Sequence, residues 1–148
     1  MDNLAENKKA YFNYDILEKF QAGIVLIGQE VKSLKTKGVS LASNYVTLKN
    51  NELFWVGANI SPYQPKNATK DYNPERTRKL LLERAEIKKL IGKTQQKGLT
   101  LVPLRVYTMQ GKIKMEFGLV KGRSKANKKE LIRKKETQKE MEKALKEY

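Results

Sequence analysis

The chain of 148 residues contains no cysteine and no histidine. Those two absences exclude disulfides, thiolate nucleophiles, imidazole general bases and the usual zinc ligand sets together. Proline is scarce, with 4 in the whole sequence. Long apolar runs are missing as well: nothing approaches the ~18 residues a membrane span needs. The opening Met1-Asp2-Asn3-Leu4-Ala5-Glu6 is polar and acidic, unlike a basic-then-apolar leader. A cytoplasmic protein without membrane association is therefore expected. Negative charge is in the minority, with 16 acidic residues against 31 basic ones and a formal net charge of +15. A compact fold with that imbalance repels itself, so a polyanionic partner is the natural expectation. The length suits one domain with a modest core.

What is present reads mainly as strands. Tyr14, Ile16 and Phe20 anchor a first strand, Gln21-Ala22-Gly23 reads as a turn, and Ile24 to Ile27 as a short successor. Glu30 to Leu34, with Val31 and Leu34 at helical spacing, predicts a short helix closed by Gly38. Tyr45 to Leu48 and Leu53 to Val56 flank Asn50-Asn51, and asparagine tolerates positive φ, so a tight hairpin is expected. Ser61 to Pro74, holding Pro62, Pro65 and Pro74, spells an exposed loop. A helix is predicted over Glu83 to Lys97, with Ile87, Leu90, Ile91 and Thr94 on one face and Gly98 as its stop. Leu99 to Tyr107 is an apolar strand in which Pro103 predicts an edge or a bulge. Ile113, Met115, Phe117 and Leu119 alternate with Lys112, Lys114 and Glu116, and Met109-Gln110-Gly111 joins the two strands. Six strands with inserted helices and short turns favour a small antiparallel barrel of mainly β class.

Composition changes after Val120. Residues 121–148 hold 11 basic and 5 acidic residues and few apolar ones, too few to build a core. The chain thus divides into a body, 1–120, and a basic tail, 121–148. Asn127 and Glu130 have the spacing of a capping box, and no proline or glycine follows, so the tail is expected to be conditionally helical.

Candidate chemistry is that of a binder. Arg76, Arg78 and Lys79 cluster after the proline-bearing loop, where guanidinium groups suit bidentate phosphate contact. Tyr11, Phe12, Tyr14, Tyr45, Tyr63 and Tyr72 sit at element starts or in polar loops, positions from which a ring can stack on an unpaired base. Any single such ring more often caps a core edge; Phe54, Trp55 and Phe117 are assigned to the core. No catalytic constellation emerges. Glu30 lacks a partner of recognisable spacing, the Gly-Lys pairs do not make a phosphate loop, and the acids are scattered. No enzyme activity, cofactor or metal is expected. The rival classes are a general structured-RNA chaperone and a metal-dependent nuclease.

Several blocks are more specific. Asn7-Lys8-Lys9-Ala10, Phe20-Gln21-Ala22-Gly23-Ile24 and Gly28-Gln29-Glu30-Val31-Lys32-Ser33-Leu34 stand in this order and spacing. Ala58-Asn59-Ile60-Ser61-Pro62-Tyr63, Pro74 to Leu82, Gly98 to Leu104 and Gly118-Leu119-Val120-Lys121-Gly122 follow. In these blocks the chain closely resembles the SmpB family, from about Asn7 to the end. The resemblance implies an oligonucleotide-binding-type barrel that grips the transfer-RNA-like domain of transfer-messenger RNA. It further implies that the charged RNA, carried by elongation factor Tu with GTP, is escorted to stalled ribosomes. The tail would enter the empty messenger channel near the small-subunit decoding region. Carried over by motif, the RNA face comprises Gln21, Ala22, Gly23, Tyr45, Arg76, Arg78, Lys79, Leu81 and Lys112. The ribosome-contacting tail comprises Lys121, Arg123, Lys125, Lys128, Lys129, Arg133, Lys134 and Lys135. A monomer is expected. Two departures stand out. Gln21 occupies a position that is usually acidic in the family, which replaces a charge-assisted bond by one weaker by ~1 kcal/mol. Ala126 stands where an aromatic or histidine is usual.

Overall fold

The computed structural model describes residues 2–64 and 71–123 and, in the tail, 133, 136, 137, 139 and 141. Among the described residues of the body, seven strands and three helices follow one another as β1 (Asp2–Glu6), α1 (Lys8–Asn13), β2 (Tyr14–Ile24), α2 (Gly28–Lys37), β3 (Tyr45–Lys49), β4 (Glu52–Val56), β5 (Arg78–Leu81), α3 (Arg84–Thr94), β6 (Leu99–Met109) and β7 (Lys112–Gly122). All pairings are antiparallel. The sheet order is β1-β6-β3-β4-β5-β2-β7, and β6 also pairs with β7, so six strands close into a barrel. The seventh, β1, lies against the free edge of β6 and pairs with it from Arg105 to Thr108. The antiparallel barrel read from the sequence is therefore present.

Local chemistry explains the turns. Asn50 and Asn51 adopt φ of 54° and 63° between the paired residues Lys49 and Glu52. Gln110 and Gly111 do the same, at 52° and 77°, between Met109 and Lys112. Two successive positive-φ residues match the twist of the flanking strands. The expected bulge at Pro103 is present, since the register with β7 shifts between Pro103 and Arg105. Gly38 ends α2 at φ 70°, its N–H donating to the Leu34 carbonyl at 3.1 Å.

Inside the barrel, Phe20, Ala22, Val46, Leu53, Trp55, Leu80, Leu101, Met115, Phe117 and Leu119 form one cluster, which Leu34 of α2 and Leu90 of α3 join. Phe20 and Phe117 are register partners whose rings stack with centroids 5.5 Å apart. Trp55 donates its indole N–H to Asn44 Oδ1 at 2.8 Å, which satisfies a buried donor. A smaller cluster of Ala10, Val102, Leu104 and Val120, with Tyr14 and Ile16, lies beside it. Asn7 caps α1 by accepting the Ala10 N–H and donates its amide to the Pro103 carbonyl at 2.9 Å, tying α1 to β6.

Several expectations need correction. Gln21-Ala22-Gly23 is not a turn. It continues β2, because Gln21, Ala22 and Gly23 pair with Glu116, Met115 and Lys114, and Gly23 also pairs with Leu81. Strands β1 and β5 and helix α1 went unread. Phe54 is half-buried rather than core. Helix α3 ends at Thr94, and Gly98, at φ 85°, lies in the turn that precedes β6 instead of stopping the helix. Strand β7 runs past Val120 to Gly122, and Arg123 still donates its N–H to the Asn13 carbonyl at 3.0 Å. Arg133, Glu136, Thr137, Lys139 and Met141 have helical backbone and are exposed. The proposed cap at Asn127 and Glu130 lies outside the described residues.

Candidate nucleic-acid interface

Strand alternation decides which candidates can meet a ligand. On β2, Phe20 and Ala22 point inward while Gln21 and Gly23 point outward. On β5, Arg78 and Leu80 are buried whereas Lys79 and Leu81 are exposed. On β7, Lys112 and Lys114 share the outer face opposite Ile113 and Met115. Because Gly23 is flanked by Leu81 on one side and Lys114 on the other, three strands bring these groups together. Gly23, Ile24, Leu81, Lys112, Ile113 and Lys114 line a groove of about 270 Å³. Leu81 is 53% exposed, and Lys114 stands two strands away from it across Gly23. An apolar side chain left in water beside lysines suits a base or ribose flanked by phosphate.

Across the barrel surface, Lys79 pairs with Phe54, which in turn pairs with Thr47 of β3. Tyr45, two residues earlier, is 51% exposed on the same face. Lys79 reaches Glu52 at 3.4 Å, an exposed pair that leaves its charge largely available. Gln21 lies opposite Glu116, whose carboxylate is engaged by Arg105 at 3.3 Å and approached by Lys19 at 3.8 Å. Lys114, Glu116 and Arg105 were not singled out from the sequence. The alternation in β7 carried the signal for Lys114.

Two of the sequence candidates fall elsewhere. Ala22 is 2% exposed and packs in the core. Arg78 is not an exposed loop cation: its side chain has no solvent exposure, and Glu30, also fully buried, is its counter-ion. Arg78 Nε donates to Glu30 Oε2 at 2.8 Å, Nη1 to the Ala58 carbonyl at 2.6 Å and Nη2 to the Pro74 carbonyl at 2.8 Å. Arg76, 30% exposed, donates to both oxygens of the same carboxylate. Tyr72 donates to the Ile60 carbonyl at 2.8 Å and also meets Glu30. Glu30 further accepts the Ile27 N–H at 3.1 Å, which closes the first turn of α2. Glu30 thus has partners, some 46 and 48 residues away, that no sequence spacing reveals.

Electrostatics at this cluster is a contest. Burial pushes the Glu30 carboxyl up, but hydrogen bonds from Arg76, the Ile27 backbone and Arg78 outweigh it and hold the group below the ordinary carboxylate range. Burial and the Glu30 charge push the Tyr72 phenol up. On α3, Lys89 and Lys93 both donate to Glu18 of β2. The bond from Lys89, then that from Lys93, lowers Glu18. Part of that helix's positive charge is therefore spent on docking it to the barrel.

Of the tail candidates, Lys121 is exposed and pairs in register with Asp15, and Arg123 Nε donates to Asp15 Oδ1 at 2.8 Å. Arg133 is exposed. Lys125, Lys128, Lys129, Lys134 and Lys135 lie outside the described residues.

Against known proteins, the family model described as SmpB protein matches residues 4–147. The chain belongs to the SmpB family. Its relatives agree over nearly the full length. The SsrA-binding protein of Acaryochloris marina (strain MBIC 11017) is 45% identical over 143 residues, covering 97% of this chain and 93% of that protein. The SsrA-binding protein of Syntrophobacter fumaroxidans (strain DSM 10017 / MPOB) is 47% identical over 143 residues, covering 97% and 88%. Among solved structures, a chain described as "tmRNA-SmpB: a journey to the center of the bacterial ribosome" superposes with a TM-score of 0.67 at 40% identity. That match covers 86% of this chain and 93% of the other. An SmpB-family assignment accounts for both the barrel and the excess of basic residues. Among the described residues, no helix is long and apolar enough to cross a membrane.

Proposed function

We propose that this chain is the RNA-binding adaptor of trans-translation. It binds the transfer-RNA-like domain of transfer-messenger RNA (SsrA RNA) through the outer face of the barrel and accompanies it to stalled ribosomes. The observation that carries this reading is the near-full-length likeness to proteins named SsrA-binding, at 45% and 47% identity. The groove of Gly23, Leu81, Lys112 and Lys114, with Tyr45 and Lys79 across the same face, supports a contact of mixed apolar and phosphate character. Arg78, fully engaged by Glu30, shapes this face from within instead of touching RNA. Residues 121–148 supply the basic tail for the messenger channel, and its Lys121 and Arg123 root it on the barrel. The protein acts as a monomer, meets elongation factor Tu and GTP only through the charged RNA, and performs no catalytic step.

Competition binding tests the reading. The transfer-RNA-like domain should displace a labelled copy of itself, while duplex RNA of equal length should not. Equal displacement by both would instead favour a general structured-RNA chaperone. Incubation with labelled RNA and magnesium should leave the RNA intact; cleavage would indicate a nuclease.

A further inference from the structure

Leu26, from the stretch that joins β2 to α2, and Val31, from the start of α2, line the groove together with Leu81 and Lys114. Burial does little to hold this stretch in place. Val25 is 44% and Ile27 43% exposed, and of the three residues only Leu26 packs against the core. Its anchors are polar. The Val25 N–H donates to the Lys79 carbonyl of β5 at 2.9 Å, and the Val25 carbonyl accepts from Arg76 Nη2 at 3.4 Å. The Ile27 N–H donates to Glu30 at 3.1 Å, so the same carboxylate that meets Arg76 also closes the start of α2.

Glu30 therefore ties one wall of the groove to the strand that carries Leu81. Arg78 neutralises this carboxylate from inside β5, which leaves Arg76 as a second cation on a single acid. A spare, partly exposed guanidinium on an RNA-binding face invites a direct phosphate contact. Its bonding argues otherwise. Arg76 Nε and Nη2 both donate to Glu30, and Nη2 also reaches the Val25 carbonyl. Turning the head outward to a phosphate would strip those bonds from a carboxylate that water does not reach, and would release the Val25 carbonyl as well.

We infer that Arg76 and Glu30 are positioning residues for the RNA groove: they pin Val25 to Ile27 and the start of α2 against β5, and so set how the Leu26–Val31 wall stands relative to Leu81. Arg76 then acts on RNA through the groove wall and not through a phosphate of its own. This rests on the RNA-binding reading above and adds the device that holds the groove to width. The planar guanidinium is needed for it, because only a fork reaches both carboxylate oxygens and the Val25 carbonyl at once; an ammonium is a point charge without that reach.

The test titrates the full chain against the labelled transfer-RNA-like domain over a salt series, at a temperature where melting curves show each variant folded. Arg76→Ala should weaken binding at least about fivefold with an unchanged salt slope. Arg76→Lys, which keeps the charge and loses the fork, should also weaken it, at least about threefold. Because the effect runs through the groove, Arg76→Ala added to Leu81→Ala should cost less than about twofold more. Lys114→Ala calibrates the slope, since loss of a phosphate contact lowers it by about one ion. Where Arg76→Ala does not fold, Glu30→Gln, which keeps the shape of the side chain and weakens the anchor, takes its place in the same comparison. If the wild type fails to bind this RNA, the adaptor reading itself fails. If the wild type binds, yet Arg76→Lys matches it and Arg76→Ala lowers the slope by about one ion, Arg76 is a phosphate contact and the positioning role is overturned. Folded variants that bind as the wild type does would overturn it too, and leave the cluster a purely structural one.

Discussion

Arg78 of β5 donates its Nε–H to Glu30 of α2 at 2.8 Å, and neither side chain has any exposure to solvent. Removing one member of such a pair strands the other charge in the interior, at a cost of about 3–5 kcal/mol. Arg78→Ala is therefore expected to lower stability by that order and to cut the melting temperature sharply. Arg76→Ala should cost less, because Arg76 is 30% exposed and water can replace it. Chemical denaturation of the two single variants checks the difference. Equal, negligible losses would mean that the cluster does not hold the fold.

The same carboxylate makes stability depend on pH. Its pKa is lower in the folded protein than in the unfolded chain, so the unfolded chain takes up its proton first on acidification. The stabilisation is complete above the ordinary carboxylate range and is lost as pH falls through the folded value. Unfolding free energies measured from neutral pH downward should fall steeply there, and Glu30→Gln should flatten the slope at the expense of stability near neutrality. An unchanged slope in that variant would assign the acid sensitivity to other groups, with Glu18 next in line.

Lys112 and Lys114 are set on one outer face by the alternation of β7 and border Leu81 in the groove. Each alanine replacement should reduce the salt dependence of RNA binding by about one ion while moving stability by no more than about 0.5 kcal/mol. Filter-binding titrations over a salt series read this directly. Leu81→Ala should weaken binding without altering the slope, since it removes contact area and no charge.

Gly118 offers a purely steric test. A Cβ there would sit 3.1 Å from Leu104 Cδ1, 3.3 Å from Val120 Cγ1 and 3.4 Å from Ile16 Cγ2, all in the cluster that seats α1. Gly118→Ala should therefore destabilise by about 1–3 kcal/mol. Amide exchange should rise in α1 before it rises in the barrel interior, where Phe20 and Phe117 pack.

Much of the barrel was legible because local chemistry and the final partners agree. Asn50-Asn51 can only be a turn between two apolar strands, and β7 alternates cleanly because one of its faces is core. Strand β5 was missed for the opposite reason. Arg78 takes an interior position and Leu81 an exterior one, so the polarity pattern runs against burial, and only the distant Glu30 makes sense of it. Gln21-Ala22-Gly23 has turn composition, yet β5 and β7 on either side keep it extended. Strand β1 has no two-residue period of its own and exists because β6 presents a free edge. At the site, Leu81 and Lys112 followed from the family motif, while Lys114 beside Gly23 needed β2 and β7 to be placed together.

The position of β6 sets a schedule for folding. One of its edges carries β7, and the other is shared by β3, at Leu101, and β1, from Arg105 to Thr108. Residues 2–6 leave the synthetic machinery first but find their partners about a hundred residues later. Residues 14–81 can pair among themselves only as an open four-stranded ribbon. During synthesis the ring stays unclosed and the apolar sides of β2 to β5 stay uncovered until Gly122 has emerged. Such late, long-range closure is slow by its loop entropy. A chain interrupted before β7 should expose sticky strand edges, and so be drawn to chaperones or proteases, while one that reaches Arg123 closes in a single step.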